Sequence, residues 1–154
     1  MKARLVASAA LALGIVIGGS GCALITYQAT TEHYDASDGV SANVGDLDLR
    51  NILIIAEEGA DDASLVFTVS NGGDSDAELT IEPVTGGSPV ELEVEAGQQI
   101  VLGGADEDPL LLEGLGAAPG SNVELAFKTP GAEIVEISVP VLDGRLPEYG
   151  ALLP

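Results

Sequence analysis

The sequence predicts an all-β fold, an antiparallel β-sandwich of short strands, and three observations carry that expectation. Apolar and polar residues alternate with a period of two in short runs. Gly, Asn, Asp and Pro stand between those runs, as turns require. Beyond residue 45, Gly or Pro breaks every longer segment, so a 3.6-residue period has no room to develop.

In chain order, Asp46–Ala56 reads as the first strand and is mostly apolar. Ser64–Ser70 alternates, with Leu65, Phe67 and Val69 on one face and Val66, Thr68 and Ser70 on the other. Glu78–Glu82 points Leu79 and Ile81 inward. Val90–Glu95 is strict, setting Val90, Leu92 and Val94 against Glu91, Glu93 and Glu95. Gln98–Leu102, Leu110–Leu112, Val123–Phe127 and Ile134–Val139 complete the set. Such runs build an antiparallel sheet with one solvated face. Seven or eight of them in about 100 residues is the size of an immunoglobulin-like sandwich. Trp is absent and aromatics are 3%, so the core must be built from Val, Leu, Ile and Ala.

Charge narrows the function. The chain has 25 acids against 5 bases, a formal charge of −20, and every acid lies beyond residue 31. Without the first 21 residues, 25 acids face 3 bases (Arg50, Lys128 and Arg145), or −22. Nucleic acid is excluded as a partner, because affinity for phosphate comes from Lys and Arg. A body lying on anionic lipid is disfavoured for the same reason. Disorder is not implied, since 46% of residues are apolar and the mean hydropathy is +0.34. The strand assignment places Glu78, Glu82, Glu91, Glu93, Glu95, Glu124 and Glu136 on solvated faces, and Asp61, Asp62, Asp74, Asp76, Asp106, Glu107 and Asp108 in turns.

The N-terminus carries an address. Lys2 and Arg4 precede a stretch without charge, Leu5–Ile17, and Gly18-Gly19-Ser20-Gly21 leads to Cys22. This is the layout of a secretory signal peptide. Cys22 is the chain's single cysteine, so an intrachain disulfide is impossible and an exported thiol needs another use. The run Gly19-Ser20-Gly21-Cys22 resembles the lipobox of bacterial lipoproteins, with Gly19 where an aliphatic residue is usual. That resemblance implies a diacylglyceryl group on the Cys22 sulfur and cleavage just before it, giving two or more acyl chains and stable anchoring. An uncleaved anchor is the alternative, since no charge occurs between Arg4 and Glu32, although Thr26, Gln28, Thr30 and Thr31 weaken such a span. Ordinary secretion is a third. Both anchored readings put Lys2 and Arg4 inside and the acidic body outside.

The expected organisation is therefore a lipoprotein signal peptide over 1–21, a lipidated N-terminus and tether over 22–44, an immunoglobulin-like sandwich over 45–142 and a tail over 143–154. The tail, GRLPEYGALLP from Gly144, either packs along the sandwich edge or serves as a handle for a partner.

Residues 63–141 carry a family resemblance. SLVFTVSNGGDSDAEL, EAGQQIVLGG, LLLEGL and NVELAFKTPGAEIVEISVPV resemble the PCuAC-like copper chaperone domain, a cupredoxin-like β-sandwich of bacterial envelopes. Upstream, DGVSANVGDLDLRNILII is similar to actinobacterial lipoproteins of the LpqE type. These landmarks are turn glycines and core aliphatics, so what they imply is chiefly a fold. The resemblance also implies a His and Met pair near Pro109–Leu112, with another earlier in the domain. Pro109 and Leu111 stand at the first pair, and neither ligates metal. Copper(I) needs soft or imidazole donors. The chain has one Met (Met1), one Cys (Cys22) and one His (His33), none inside the sandwich. No metal ligand and no cofactor are expected.

Asp35, Asp38, Asp74, Asp76 and Asp106–Asp108 lack the spacing of a calcium loop and read as turn residues. Catalysis has no candidate residue, because a Ser-His-Asp arrangement would draw its only His from the tether. Arg50 and Tyr149 remain as singletons: Arg50 for an ion pair or a partner, Tyr149 for a partner along the tail. The expectation is a non-enzymatic envelope lipoprotein on the extracytoplasmic face of the cell membrane. It is held by the lipid on Cys22 and binds an envelope protein or cell-wall component; a diverged metal chaperone is the alternative.

Overall fold

The computed structural model describes residues 2–19 and 35–154, which belong to two compact units, Met1–Tyr34 and Asp35–Pro154. In the first unit Lys2–Gly19 forms helix α1, with the side chains of residues 2–15 exposed. Among the described residues no helix is long and apolar enough to cross a membrane. Ser20, Gly21, Cys22 and His33 lie outside the described residues, and Gly19 is the last residue of α1.

The second unit is an immunoglobulin-like, cupredoxin-like β-sandwich, nearly closed into a barrel. Its strands are β1 (Val40–Val44), β2 (Leu47–Ala56), β3 (Ala63–Asn71), β4 (Ala77–Pro83), β5 (Val90–Val94), β6 (Gln99–Leu102), β7 (Leu110–Leu112), β8 (Asn122–Lys128) and β9 (Val135–Leu142). One sheet runs β1, β2 and β3, with β6 and β7 following one another along the far edge of β3. The other runs β5-β4-β8-β9. Strand β9 joins the two. Its first part pairs antiparallel with β8, and its end pairs parallel with β2 through Ile54–Val141 and Ile55–Leu142. Pro140, which has no N–H to give a ladder, sits where β9 passes from one sheet to the other. The inward faces meet in a core that includes Leu49, Ile54, Leu65, Phe67, Leu79, Ile81, Leu125 and Phe127, each 0–1% exposed. Burial on that scale supplies about 1.5–3 kcal/mol per side chain.

Strand β2 explains its own apolar end. Against β3 the register runs Leu49–Val69 and Arg50–Thr68, then slips so that Leu53 faces Val66. Two residues, Asn51 and Ile52, occupy the slip, and Asn51 adopts a left-handed φ of 53°. A bulge of this kind moves every later side chain to the opposite face. Leu47 and Leu49 point into the core before it; Ile52, Ile54 and Ala56 do so after it. Leu53 and Ile55 are thereby turned outward, and with Val66 they form a second, smaller apolar cluster.

That cluster is covered by the C-terminal segment. After β9 the chain turns back and makes one helical turn, α2 (Pro147–Gly150), and Leu142, Tyr149, Leu152 and Leu153 pack on Leu53, Ile55 and Val66. The structure packs this segment on the outward face of β2 and β3 rather than along the sandwich edge. It also moves a boundary. The stretch expected as tether over 22–44 contains β1, whose Ala42 and Val44 are buried and which forms a hairpin with β2 around Gly45-Asp46. The alternation that buries them spans five residues and is masked by Ser41 and Asn43, so it is too brief to stand out beside the polar residues before it.

Candidate functional site

A groove of about 870 Å³ opens at the end of the sandwich where β2 and β9 finish. Three segments build it. Ala56, buried, closes β2 and hands on to the turn Glu57-Glu58-Gly59, where the Ala60 N–H donates to the Glu57 carbonyl at 3.1 Å. Pro119 and Gly120 form the second side; Gly120 N–H donates to the Val141 carbonyl at 2.8 Å, and Val141 N–H to Ser121 at 2.9 Å, which ties this loop to β9. The third side is the C-terminal segment itself, through Leu146, Tyr149 and Leu153. Tyr149 and Leu153 thus both cover the outer cluster and wall the groove.

Two contacts fix that wall. Arg145 is folded onto Asp143, with Nε 3.2 Å from Oδ2 and its backbone N–H 3.2 Å from Oδ1. Tyr149 donates its phenolic hydrogen to Oδ2 of Asp38 at 2.5 Å. The bond to Asp38, with lesser help from partial burial and the charges of Asp38 and Glu148, pushes the Tyr149 phenol up to about 12. At neutral pH it is therefore a fixed donor. The groove's floor is apolar (Ala56, Val141, Leu142), and its rim carries the carboxylates of Asp38, Glu57, Glu58 and Asp143 against one base, Arg145. Such a surface offers aliphatic contact below and acceptors above; it presents no nucleophile beside a base.

The residues singled out in the sequence fall in different places. Tyr149 lines the groove. Arg50 does not; it lies on the exposed side of β2, where Nη2 meets Asp48 at 3.0 Å and Nη1 donates to Asn43 Oδ1 at 2.6 Å and to the carbonyls of Leu49 and Ala42. Its ion-pair role is the one the structure realises. Asp35 accepts from the Ser41 hydroxyl, Asp76 from the Ala96 N–H at 2.9 Å and Asp62 from the Gly114 N–H at 3.0 Å, all as turn and edge caps. Among the described residues no cluster of three metal-ligating side chains occurs. Glu57, Glu58 and Leu146 were not singled out by sequence reasoning, and Asp38 was weighed only as a cation ligand and read as a turn residue. The spacing of Leu146, Tyr149 and Leu153 beyond the last strand was the available signal for the wall, but nothing local links it to Asp38.

Pro109 and Leu111, the positions the resemblance sets against copper donors, flank Leu110 at the β7 edge of β3. Pro109 is half-buried and Leu111 is 44% exposed, so that edge presents hydrocarbon. Residues 35–154 contain no Met, Cys or His. Copper(I) binds soft thiolate, thioether and imidazole donors, so the side chains of this domain do not fit it.

No family model matches the chain, and no curated protein matches it. Solved structures do. The apo PCuAC domain of PmoF2 superposes with a TM-score of 0.58 at 14% identity, over 70% of this chain and 98% of that domain. The apo PCuAC domain from PmoF1 gives 0.52 at 18% identity, over 66% and 98% respectively. A copper-bound PCuAC domain from PmoF2 gives 0.52 at 14% identity, over 68% and 98%. At this identity the likeness is one of fold, and the chain's second unit has the PCuAC-like β-sandwich fold.

Proposed function

We propose that this chain is a non-catalytic binding domain on a PCuAC-like scaffold, anchored to the extracytoplasmic face of the cell membrane by lipid on Cys22 and acting on another cell-envelope component. The observation that carries it is the pairing of a PCuAC-like fold with a domain, residues 35–154, that has no His, Met or Cys. The scaffold is kept and the chemistry that would transfer copper(I) is absent from it, which leaves recognition by surface shape and charge. The lipobox-like Gly19-Ser20-Gly21-Cys22 and the basic Lys2 and Arg4 support the anchor. A second reading, a diverged metal chaperone using carboxylates, is favoured by the likeness to a copper-bound domain.

Thermal unfolding of the purified protein with saturating Cu(I), Cu(II) or Ca²⁺ separates the two. A ligand that binds only the native state raises the melting temperature, by about 2.7 kcal/mol of stability at a hundredfold excess over Kd. The binding-domain reading expects no shift with any of the three metals; a shift replaces it with the metal reading. Radioactive palmitate labels the wild-type chain and fails to label Cys22→Ala if the anchor is right; a labelled variant removes the lipid from the proposal.

A further inference from the structure

We infer that the groove beside the C-terminal segment is the docking site for a basic, aliphatic peptide segment of the partner, which rests on the binding-domain reading and names the chemistry of its ligand. Its volume, about 870 Å³, is of the size that holds several side chains. Floor and rim differ in kind. Below are Ala56, Val141 and Leu142; above, on the β2–β3 turn, are Glu57 and Glu58, both exposed and without a basic partner among the described residues. The one base present, Arg145, is engaged by Asp143.

Charge complementarity selects the occupant. A Lys or Arg side chain lays its methylene stem on an apolar floor while its head meets carboxylates, which an acidic or wholly aliphatic segment cannot match. Leu146, 49% exposed at the lip, offers contact area for a neighbouring aliphatic residue of the same segment. The wall is held in place before any ligand arrives, since Tyr149 is bonded to Asp38 and packed on Leu53, Ile55 and Val66. A preformed wall spares the ordering cost that weakens docking to a loose segment.

The test is NMR titration of the full chain in detergent with an acetylated, amidated Leu-Lys-Leu-Lys-Leu peptide, beside peptides in which Glu replaces Lys or Gly replaces Leu. The expected result is a set of shifts centred on Glu57, Glu58 and Leu146 with the first peptide only. Binding should weaken roughly 3- to 10-fold in the double variant Glu57→Gln/Glu58→Gln, and several-fold in Leu146→Ser, both exposed changes that leave the fold intact. Shifts centred on the Glu91 and Glu93 face, equal binding of the Gly-spaced peptide, or no binding by any peptide would overturn the groove assignment. Photocrosslinking in cells from position 146 and, separately, from position 91 distinguishes the two levels. Crosslinks from 91 but not 146 sink the groove and leave the binding-domain reading standing; crosslinks from neither position sink both.

Discussion

Tyr149 and Asp38 are separated by 111 residues and joined by a hydrogen bond of 2.5 Å, which fastens the C-terminal segment to the chain just before β1. The bond makes stability depend on alkaline pH in a direction fixed by linkage. The Tyr149 proton is held more tightly in the folded protein, where the phenol is pushed up to about 12, than in the unfolded chain at 10.0. The stabilisation is therefore complete below pH 10 and is lost as pH rises through about 12. Tyr149→Phe removes the donor while keeping the ring on the outer cluster. Its expected cost is about 1 kcal/mol, low for a bond to a charged acceptor because the site is partly solvated. Chemical denaturation of both proteins across pH 7 to pH 12 should give a constant gap up to pH 10 that closes above it. No gap at neutral pH would mean the ring alone does the work, and a gap that persists unchanged at the top of the range would show that it does not come from the Tyr149 proton.

Gly39 and Asn51 form a second fixed pair. The Gly39 N–H donates to Asn51 Oδ1 at 3.0 Å, so the side chain at the bulge secures the strand beside it. A Cβ at position 39 would stand 2.5 Å from the Asn51 carbonyl carbon and 2.7 Å from the backbone N and O of Ile52. Backbone cannot yield as a side-chain tip does. Gly39→Ala is expected to cost about 2–4 kcal/mol. Asn51→Ala loses the acceptor and keeps the left-handed backbone, for about 2 kcal/mol, whereas Asn51→Gly loses only the acceptor, for about 1 kcal/mol. Urea midpoints that rank the two Asn51 variants the other way would show that strain at φ 53° is not being carried there.

Asn71 holds the turn after β3. It is 2% exposed, and its amide donates to the carbonyls of Ser75 at 2.9 Å and Val94 at 3.0 Å while its oxygen accepts the Gly73 N–H at 2.9 Å. Asn71→Ala strips three partners at once and leaves the Val94 carbonyl buried without that donor, for about 2–4 kcal/mol. Asn71→Asp keeps the acceptor but sets a buried carboxylate oxygen against the Ser75 and Val94 carbonyls, so it should cost at least as much as Asn71→Ala. Thermal unfolding of the two variants checks the order, and a near-neutral Asn71→Ala would show the turn to be held by its backbone alone.

These pairs also mark where sequence reading reached its limit. Strands β4 and β5 were legible because Leu79, Ile81 and Val94 alternate with more exposed residues, and β3 because Leu65, Phe67 and Val69 share its core face, although Val66 on its other face is buried beneath the C-terminal segment. The apolar run NILIIA was legible as a strand but not as two faces, because the bulge at Asn51 depends on Gly39 across the sheet rather than on its neighbours. Tyr149 could be noticed in the tail, yet its partner Asp38 lies in a stretch that reads as linker. The groove needed both ends of the second unit to be placed before its walls existed. Cys22 and the lipobox-like Ser20 and Gly21 before it are legible only as a motif, since they fall outside the described residues.

The outer face of the second sheet carries the last prediction. Glu78 and Glu93 stand directly opposite each other on β4 and β5, and Glu91 lies across from Thr80, two residues along. All three glutamates are exposed, and the nearest base on that face, Lys128, is committed to Glu82. Like charges set opposite on neighbouring strands destabilise by a fraction of a kcal/mol to about 1 kcal/mol. With −22 on the chain beyond residue 21, that repulsion is repeated over the surface rather than balanced. Raising sodium chloride from about 20 mM to about 300 mM shortens the Debye length from roughly 20 Å to under 10 Å and should raise the melting temperature. Glu93→Lys converts the opposed pair to an attractive one. It should stabilise by about 0.5–1 kcal/mol at low salt, with the gain shrinking as salt rises. A melting temperature indifferent to salt, or a Glu93→Lys gain that does not fall with it, would show that these carboxylates are too well hydrated to feel one another.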